Sequence, residues 1–261
     1  MGKTEALLEV SELTKQFKGL LAVDHYHLEI FPGEIVGLIG PNGAGKTTVF
    51  NLLTGIFPPT SGRIRLGGLE LTRLRPDQIV RSGLARTFQN IRLFGELSVM
   101  QNVLVAAQLH RPYRLSDALL SSKRFSAAEK DLAGRTRQYL DALDLGDYRE
   151  QQAKNLPYGL QRKLEIARAL ATGPRVLLLD EPAAGMNHQE SVELMETIRR
   201  LRDRFQLAIL LIEHDMHVVM NLCQRLQVLC YGKIIAEGPP AEIKNNPLVI
   251  NAYLGRSKTS A

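Results

Sequence analysis

The segment Gly40-Pro41-Asn42-Gly43-Ala44-Gly45-Lys46-Thr47 constrains this chain more than any other, because a glycine-rich turn of that spacing needs a particular scaffold beneath it. It follows the apolar run Glu34 to Ile39 and opens a helix predicted from about Gly45 to Thr54. Strand, glycine loop and helix in that order are the context of a phosphate-binding loop. Glycines let successive N–H groups converge on a β-phosphate, and the helix N-terminus adds its partial positive charge. In this reading every residue from Gly40 to Thr48 is a nucleotide-binding candidate. Lys46 neutralises the β- and γ-phosphates, and the Thr47 hydroxyl ligates Mg²⁺.

A second signal is Val176-Leu177-Leu178-Leu179-Asp180-Glu181, an apolar strand that ends in two carboxylates. At the carboxyl edge of a parallel sheet they face the phosphate loop, where ligands of open α/β folds bind. Asp180 is then expected to hold Mg²⁺ through water, and Glu181 to polarise the attacking water as a general base. Together the two motifs describe a P-loop nucleotide hydrolase.

The rest of the pattern fits an α/β chain. The opening is β-rich, with strands expected over Leu8 to Leu13, Ala22 to Ile30 and Glu34 to Ile39, and the turn Phe31-Pro32-Gly33 between the last two. Pro58-Pro59-Thr60-Ser61-Gly62 punctuates the entry to a further short strand pair. From about Gln89 to Pro157 the pattern turns helical, with capping-box signatures at Ser98 with Gln101 and at Ser126 with Glu129. Beyond it come a helix to Ala171, a strand Val176 to Leu179, a helix near His188 to Arg204, a strand Leu207 to Ile212, another helix, and strands around Arg225 to Glu237. Helices alternating with buried apolar strands argue for a mainly parallel sheet. The expected organisation is one domain over 1–261: a core at about 6–88 and 158–255, a helical insertion at about 89–157, and a polar tail at 256–261.

Composition removes several classes. Hydrophobic residues at 44% and charged residues at 23% are ordinary for a globular protein, and no apolar run reaches the ~18 residues that span a bilayer. The opening Met1 to Glu5 lacks the continuous apolar stretch of a secretory signal, so the chain is expected in the cytosol. Cys223 and Cys230 have no zinc-site spacing and are expected as reduced core residues. The net charge of +6 comes without a basic block, so nucleic acid is not expected as a partner.

Between the two motifs lies Leu156-Pro157-Tyr158-Gly159-Leu160-Gln161-Arg162-Lys163-Leu164-Glu165, which opens a helix immediately upstream of the second. This arrangement resembles the ABC ATPases over residues 6 to 255. Arg86-Thr87-Phe88-Gln89-Asn90 places Gln89 where that family has its Q-loop glutamine, and Ile212-Glu213-His214-Asp215 places His214 as its switch histidine. The resemblance implies ATP and Mg²⁺ as cofactors and a RecA-like α/β core with an antiparallel β subdomain and an inserted helical subdomain. It further implies that Gln89 contacts the metal and its water, that His214 contacts the γ-phosphate, and that Gly159 in the signature meets the nucleotide of a partner chain. Phe17 falls at the family's adenine-stacking aromatic, with Val23 beside the base.

Within the family the wording Arg86 to Phe94, Leu156-Pro157-Tyr158-Gly159, Glu181 to Asn187 and Val249 to Gly255 looks like the bacterial branched-chain amino-acid importer ATPases. That implies a second, non-identical ATPase, two membrane permeases, a periplasmic binding protein acting indirectly, and residence on the cytoplasmic face of the inner membrane. ATPases serving urea or short amides, a lipid exporter motor acting as a homodimer, and a nucleotide-sensing scaffold are the alternatives. Pro157, Tyr158 and Leu160 replace the Ser, first Gly and Gln of the common Leu-Ser-Gly-Gly-Gln signature, and Asn187 replaces a common Asp. Only the Gly159 N–H remains at the helix start, so a weaker hold on the γ-phosphate is expected. Leu93, Phe94, Val99, Met100 and Val103 form an apolar face expected to dock a permease helix.

Overall fold

The computed structural model describes residues 5–110, 117 and 123–254 and divides into two compact units, one of residues 1–86 with 175–261 and one of residues 87–174.

The first unit is built on two sheets. Strands β1 (Leu8–Phe17), β2 (Leu20–Ile30), β3 (Ile35–Ile39), β4 (Ser61–Leu66), β5 (Leu69–Glu70) and β6 (Leu84–Arg86) precede the second unit. After it come β7 (Val176–Asp180), β8 (Ala208–Ile212), β9 (Arg225–Cys230) and β10 (Lys233–Gly238). An antiparallel sheet has the order β2-β1-β4-β5, and a six-stranded sheet the order β10-β9-β3-β8-β7-β6. In the larger sheet only the β9–β10 pair is antiparallel. Strands β3, β7 and β8 are buried at every residue, which is what a sheet covered on both faces requires. In β2 the alternation continues through Tyr26, Leu28 and Ile30, which are buried while Glu29 is exposed. The two sheets share one core, in which Val36, Leu38, Leu178 and Leu210 join Leu8, Leu28 and Ile64 around Phe50.

The second unit is helical. Its helices Val99–Ala107, Lys123–Ala142 and Tyr158–Ala171 pack on one another. Ser98 caps the first of them, accepting from the Gln101 N–H at 3.2 Å while Gln101 returns a bond to the Ser98 N–H at 2.8 Å. The second signature, at Ser126, does not mark a start: the helix is already running at Lys123, so Ser126 lies inside its first turn. The pattern there cannot separate a cap from a polar residue on an exposed helical face. Val99 and Val103 are completely buried, so of the expected apolar face only Leu93, Phe94 and Met100 reach the surface, and Phe94 is about half exposed.

Both cysteines are free thiols. Burial pushes the Cys223 thiol up to about 12, so it behaves as an inert core residue.

Candidate functional site

Strands β6, β7, β8 and β3 lie side by side and parallel, so their carboxyl ends share one edge of the sheet. Register sets the levels: Asp180 pairs with Ile212, and Ile212 with Leu38. The loop after β3, the acids ending β7 and the turn after β8 therefore emerge at one height. The topology alone brings together Gly40 to Lys46, Asp180 with Glu181, and His214. Such an edge is where open α/β sheets bind ligands.

The loop after β3 depends on glycine at two places. Gly40 has φ 147° and Gly45 φ 109°, in the region that L side chains avoid. A Cβ at Gly40 would lie 2.0 Å from the Leu229 carbonyl oxygen, and one at Gly45 would lie 2.6 Å from the Ala22 oxygen. The loop is thus pressed against β9 of its own sheet and β2 of the antiparallel sheet, with its N–H groups at the start of the helix Lys46–Leu53. The Lys46 ammonium, largely buried, donates to the carbonyls of Gly40 at 2.6 Å and Pro41 at 3.1 Å. Its charge therefore hangs over the loop itself. Thr47 is exposed and Thr48 half-buried, while Asn42 and Gly43 form the open rim.

At the end of β7, Asp180 is buried and its Oδ2 accepts from Arg86 Nη2 at 2.6 Å. Arg86, the last residue of β6, also donates to Asn51 Oδ1 at 2.7 Å and lies over the Phe50 ring at 5.2 Å. Sequence reading passed Arg86 over, because a three-residue strand shows no period and an arginine before Gln89 looks like surface. Glu181 follows with φ 47°, a left-handed conformation costly for a side-chain-bearing residue, held by its N–H donating to the Ile212 carbonyl at 2.9 Å. That turn aims its carboxylate toward His214, whose Nδ1 lies 3.7 Å from Glu181 Oε2. The acid proposed as base and the histidine proposed as switch are thus neighbours.

Glu213 was also missed. Its side chain is 1% exposed, and its two oxygens accept from the Ala183 N–H at 2.9 Å and the His214 N–H at 3.2 Å. Burial raises its carboxyl above the usual range, against the lowering effect of the bonds from Ala183 and His214. One buried carboxyl therefore ties the turn carrying Glu181 to the turn carrying His214. A charge one residue before a sequence-marked histidine was the available signal.

Phe17 ends β1 half-exposed, with Lys15 Nζ 5.0 Å from its ring centroid and Phe57 edge-on at 5.3 Å and 81°. Val23 lies differently from expectation. It is completely buried in the shared core, so its side chain supports the strand from beneath and offers no surface to a base.

In the second unit, Gln89 is exposed, and Gly159 sits half-buried in the first turn of Tyr158–Ala171. That helix starts after Pro157 with no side-chain cap. Asn187, standing for the common Asp, caps the helix His188–Phe205, accepting from the Glu190 N–H at 3.0 Å.

A glycine loop at the end of a central parallel strand, an acid pair ending another strand of that sheet and an aromatic on an antiparallel sheet define a P-loop nucleotide-binding ATPase. The family profile described as ABC transporter matches residues 23–184, and one described as branched-chain amino acid ATP-binding cassette transporter matches residues 233–259. The chain belongs to the ABC transporter family, as an ATP-hydrolysing subunit. It is 48% identical over 254 residues, covering 97% of this chain and 100% of its relative, to the high-affinity branched-chain amino acid transport ATP-binding protein LivG of Escherichia coli K12. It is 45% identical over 251 residues, covering 96% and 98%, to BraF of Pseudomonas aeruginosa, named for the same transport. Among solved structures, the ADP conformation of MJ1267, an ATP-binding cassette of an ABC transporter, matches with TM-score 0.82 and 28% identity over 97% of this chain and 100% of that one.

Proposed function

We propose that this chain is the ATP-driven motor of a branched-chain amino-acid importer. The observation that carries the reading is end-to-end identity of 48% with a protein named for that transport, together with the match of residues 233–259 to the profile of such cassettes. No helix among the described residues is long and apolar enough to cross a membrane, which suits a subunit bound to permeases at the cytoplasmic face of the inner membrane. A second, non-identical ATPase and two permeases complete the assembly, with a periplasmic binding protein delivering the substrate. The exposed Phe94, with Leu93 and Met100, offers the apolar contact for a permease helix.

In this reading Phe17 stacks the adenine, Gly40 to Thr48 cradle the phosphates, and Lys46 exchanges its bonds to the Gly40 and Pro41 carbonyls for phosphate oxygens. Mg²⁺ suits the residues present. It takes few protein ligands and keeps several waters, and here one exposed hydroxyl, Thr47, stands with one carboxylate, Asp180. Among the described residues no cluster of three or more His, Cys, Asp or Glu competes as a metal cage. Bound there, Mg²⁺ supplies charge neutralisation of the phosphates. Glu181 takes the proton of the attacking water, His214 beside it contacts the γ-phosphate, and Gln89 orients the water. Gly159 closes the partner chain's site.

The test is uptake of leucine into vesicles bearing the complex assembled with its gene-neighbour permeases. Parent complex should couple ATP hydrolysis to uptake, and Glu181→Gln should keep ATP binding while lowering hydrolysis by about 10²–10⁴-fold. Hydrolysis without uptake of any branched-chain amino acid would remove the substrate assignment. Unchanged turnover in Glu181→Gln would remove the base.

A further inference from the structure

The signature residue that departs most from the common pattern, Tyr158, does not point its hydroxyl into solvent. The residue is 44% exposed, yet its phenol oxygen accepts from Arg162 Nε at 3.1 Å and from Arg162 Nη2 at 2.8 Å. Arg162 is 4% exposed and spends its remaining donors on two backbone carbonyls and one carboxylate. Nη1 donates to the Phe88 carbonyl at 2.9 Å and to Glu165 Oε2 at 3.4 Å, and Nη2 donates to the Gln89 carbonyl. All five N–H groups of the fork are thereby committed, two of them to Tyr158.

The same helix holds the segment further along. Glu165 Oε1 accepts from the Phe88 N–H at 3.4 Å, Arg168 donates to the Arg92 carbonyl, and Arg168 lies over the Phe94 ring at 4.8 Å. A buried guanidinium that meets backbone carbonyls has a fixed geometry, because each carbonyl it lost would leave a buried donor unmet.

From this geometry we infer that Tyr158 is a positioning residue: its hydroxyl locks Arg162 against the carbonyls of Phe88 and Gln89, so that the start of the signature helix and the Gln89 segment shift as one body. The inference rests on the reading of Gln89 and Gly159 as nucleotide-sensing positions. It assigns the tyrosine a task that a glycine at this position could not perform. A change at Gln89 on the chain's own nucleotide is then carried by a side-chain clamp to the Gly159 that closes the partner's site.

The variant to make is Tyr158→Phe, which keeps the ring under the guanidinium, at 5.3 Å from its centroid, and deletes one oxygen. In the assembled complex kcat should fall at least about tenfold, the low end for losing a hydrogen bond to a charged group that is felt in the transition state, while KM for ATP stays within twofold. In the full chain alone, deuterium exchange of the peptide spanning residues 88–94 should rise at least threefold, with the melting temperature within a few degrees of the parent. Equal exchange in parent and variant overturns the clamp. Faster exchange with unchanged kcat overturns its role in turnover. A rise in KM matching the fall in kcat/KM overturns it as well, since that marks lost nucleotide binding. Glu181→Gln in the same preparation separates the failures: if that change is silent, the ATPase reading falls, whereas the exchange result still decides the clamp.

Discussion

Each compact unit buries one arginine against one carboxylate, and the two pairs differ in what else the arginine holds. In the first unit Arg86 and Asp180, 5% and 6% exposed, meet at 2.6 Å, and Arg86 also donates to the side chain of Asn51. In the second unit Arg162 and Glu165, 4% and 7% exposed, meet at the longer distance of 3.4 Å, while Arg162 grips the backbone at Phe88 and Gln89. Taking a charge from water is costly in either place, so neither pair is explained by its attraction alone. Arg86 holds a carboxylate that the proposed mechanism lends to a metal ion, which makes that pair exchangeable. Arg162 holds the chain itself, which makes that pair a fixture.

The largest effect expected from this contrast comes from removing each guanidinium. Arg162→Met should lower unfolding free energy by about 3–5 kcal/mol, because Glu165 stays buried without its partner. Burial already raises the Glu165 carboxyl above its usual range, opposed first by the Arg162 charge. Arg86→Met should cost a comparable amount in buffer but recover most of it in millimolar Mg-ATP, where the metal supplies the charge that Asp180 lost. Denaturant melts of the parent and both variants, with and without Mg-ATP, read this directly. If Mg-ATP rescues the two variants equally, the distinction between exchangeable pair and fixture is void.

What could be read from residues alone follows the same division. The phosphate loop and the Asp180-Glu181 pair were legible because each joins a run of apolar residues to a conspicuous polar turn, and parallel pairing then gathers strand ends without further instruction. The capping box at Ser98 was legible for a local reason, two side chains satisfying two N–H groups within one turn. Backbone clamps leave no such trace. Nothing in Tyr158-Gly159-Leu160-Gln161-Arg162 announces that the arginine ends on carbonyls of Phe88 and Gln89, more than seventy positions earlier. Helix Pro76–Arg81 and strand β6 were invisible because six and three residues are too few for a period. Val23 was misplaced because the residue beside an exposed strand end points inward once pairing with β1 sets the alternation.

A smaller effect tests the β-rich side of the first unit, where recognition is by packing instead of charge. Phe17→Ala should weaken ATP binding by about 1–3 kcal/mol, the stacking contribution of one aromatic to one base. Inorganic triphosphate, which has no base, should bind parent and variant alike. Phe57→Leu, which removes the ring that meets Phe17 edge-on, should cause a fraction of the same loss. Titration calorimetry with both ligands separates stacking from phosphate grip. Equal weakening for triphosphate would mean that Phe17 shapes the loop and not the base site.

The smallest effect concerns Glu213, which combines both kinds of holding, since it is a buried charge-bearing group whose partners are backbone N–H groups. Desolvation raises its carboxyl above the ordinary 4.5, opposed by the N–H bonds of Ala183, His214 and Asp215 and by the charge of a protonated His214. The sign of its linkage follows. Below pH 4.5 the carboxyl is protonated in the folded and unfolded chain alike, and the folded state keeps its full stability. As pH rises the unfolded chain ionises first, so folding now has to hold the proton or bury a charge. Stability is lost until the folded carboxyl has ionised too. Glu213→Gln keeps the shape and stays neutral, and the other titrating groups are common to both chains. The Gln amide nitrogen cannot accept one of the two N–H bonds, so the variant carries a pH-independent deficit, and the parent's lead over it should shrink as pH rises above 4.5, by at most about 1.4 kcal/mol per pH unit while one proton is in play. Chemical melts at half-unit intervals from pH 4.5 to 7 measure the difference. A parent that gains on the variant as pH rises would mean that the two N–H bonds outweigh burial, and that Glu213 joins the Glu181 and His214 turns as a stable carboxylate.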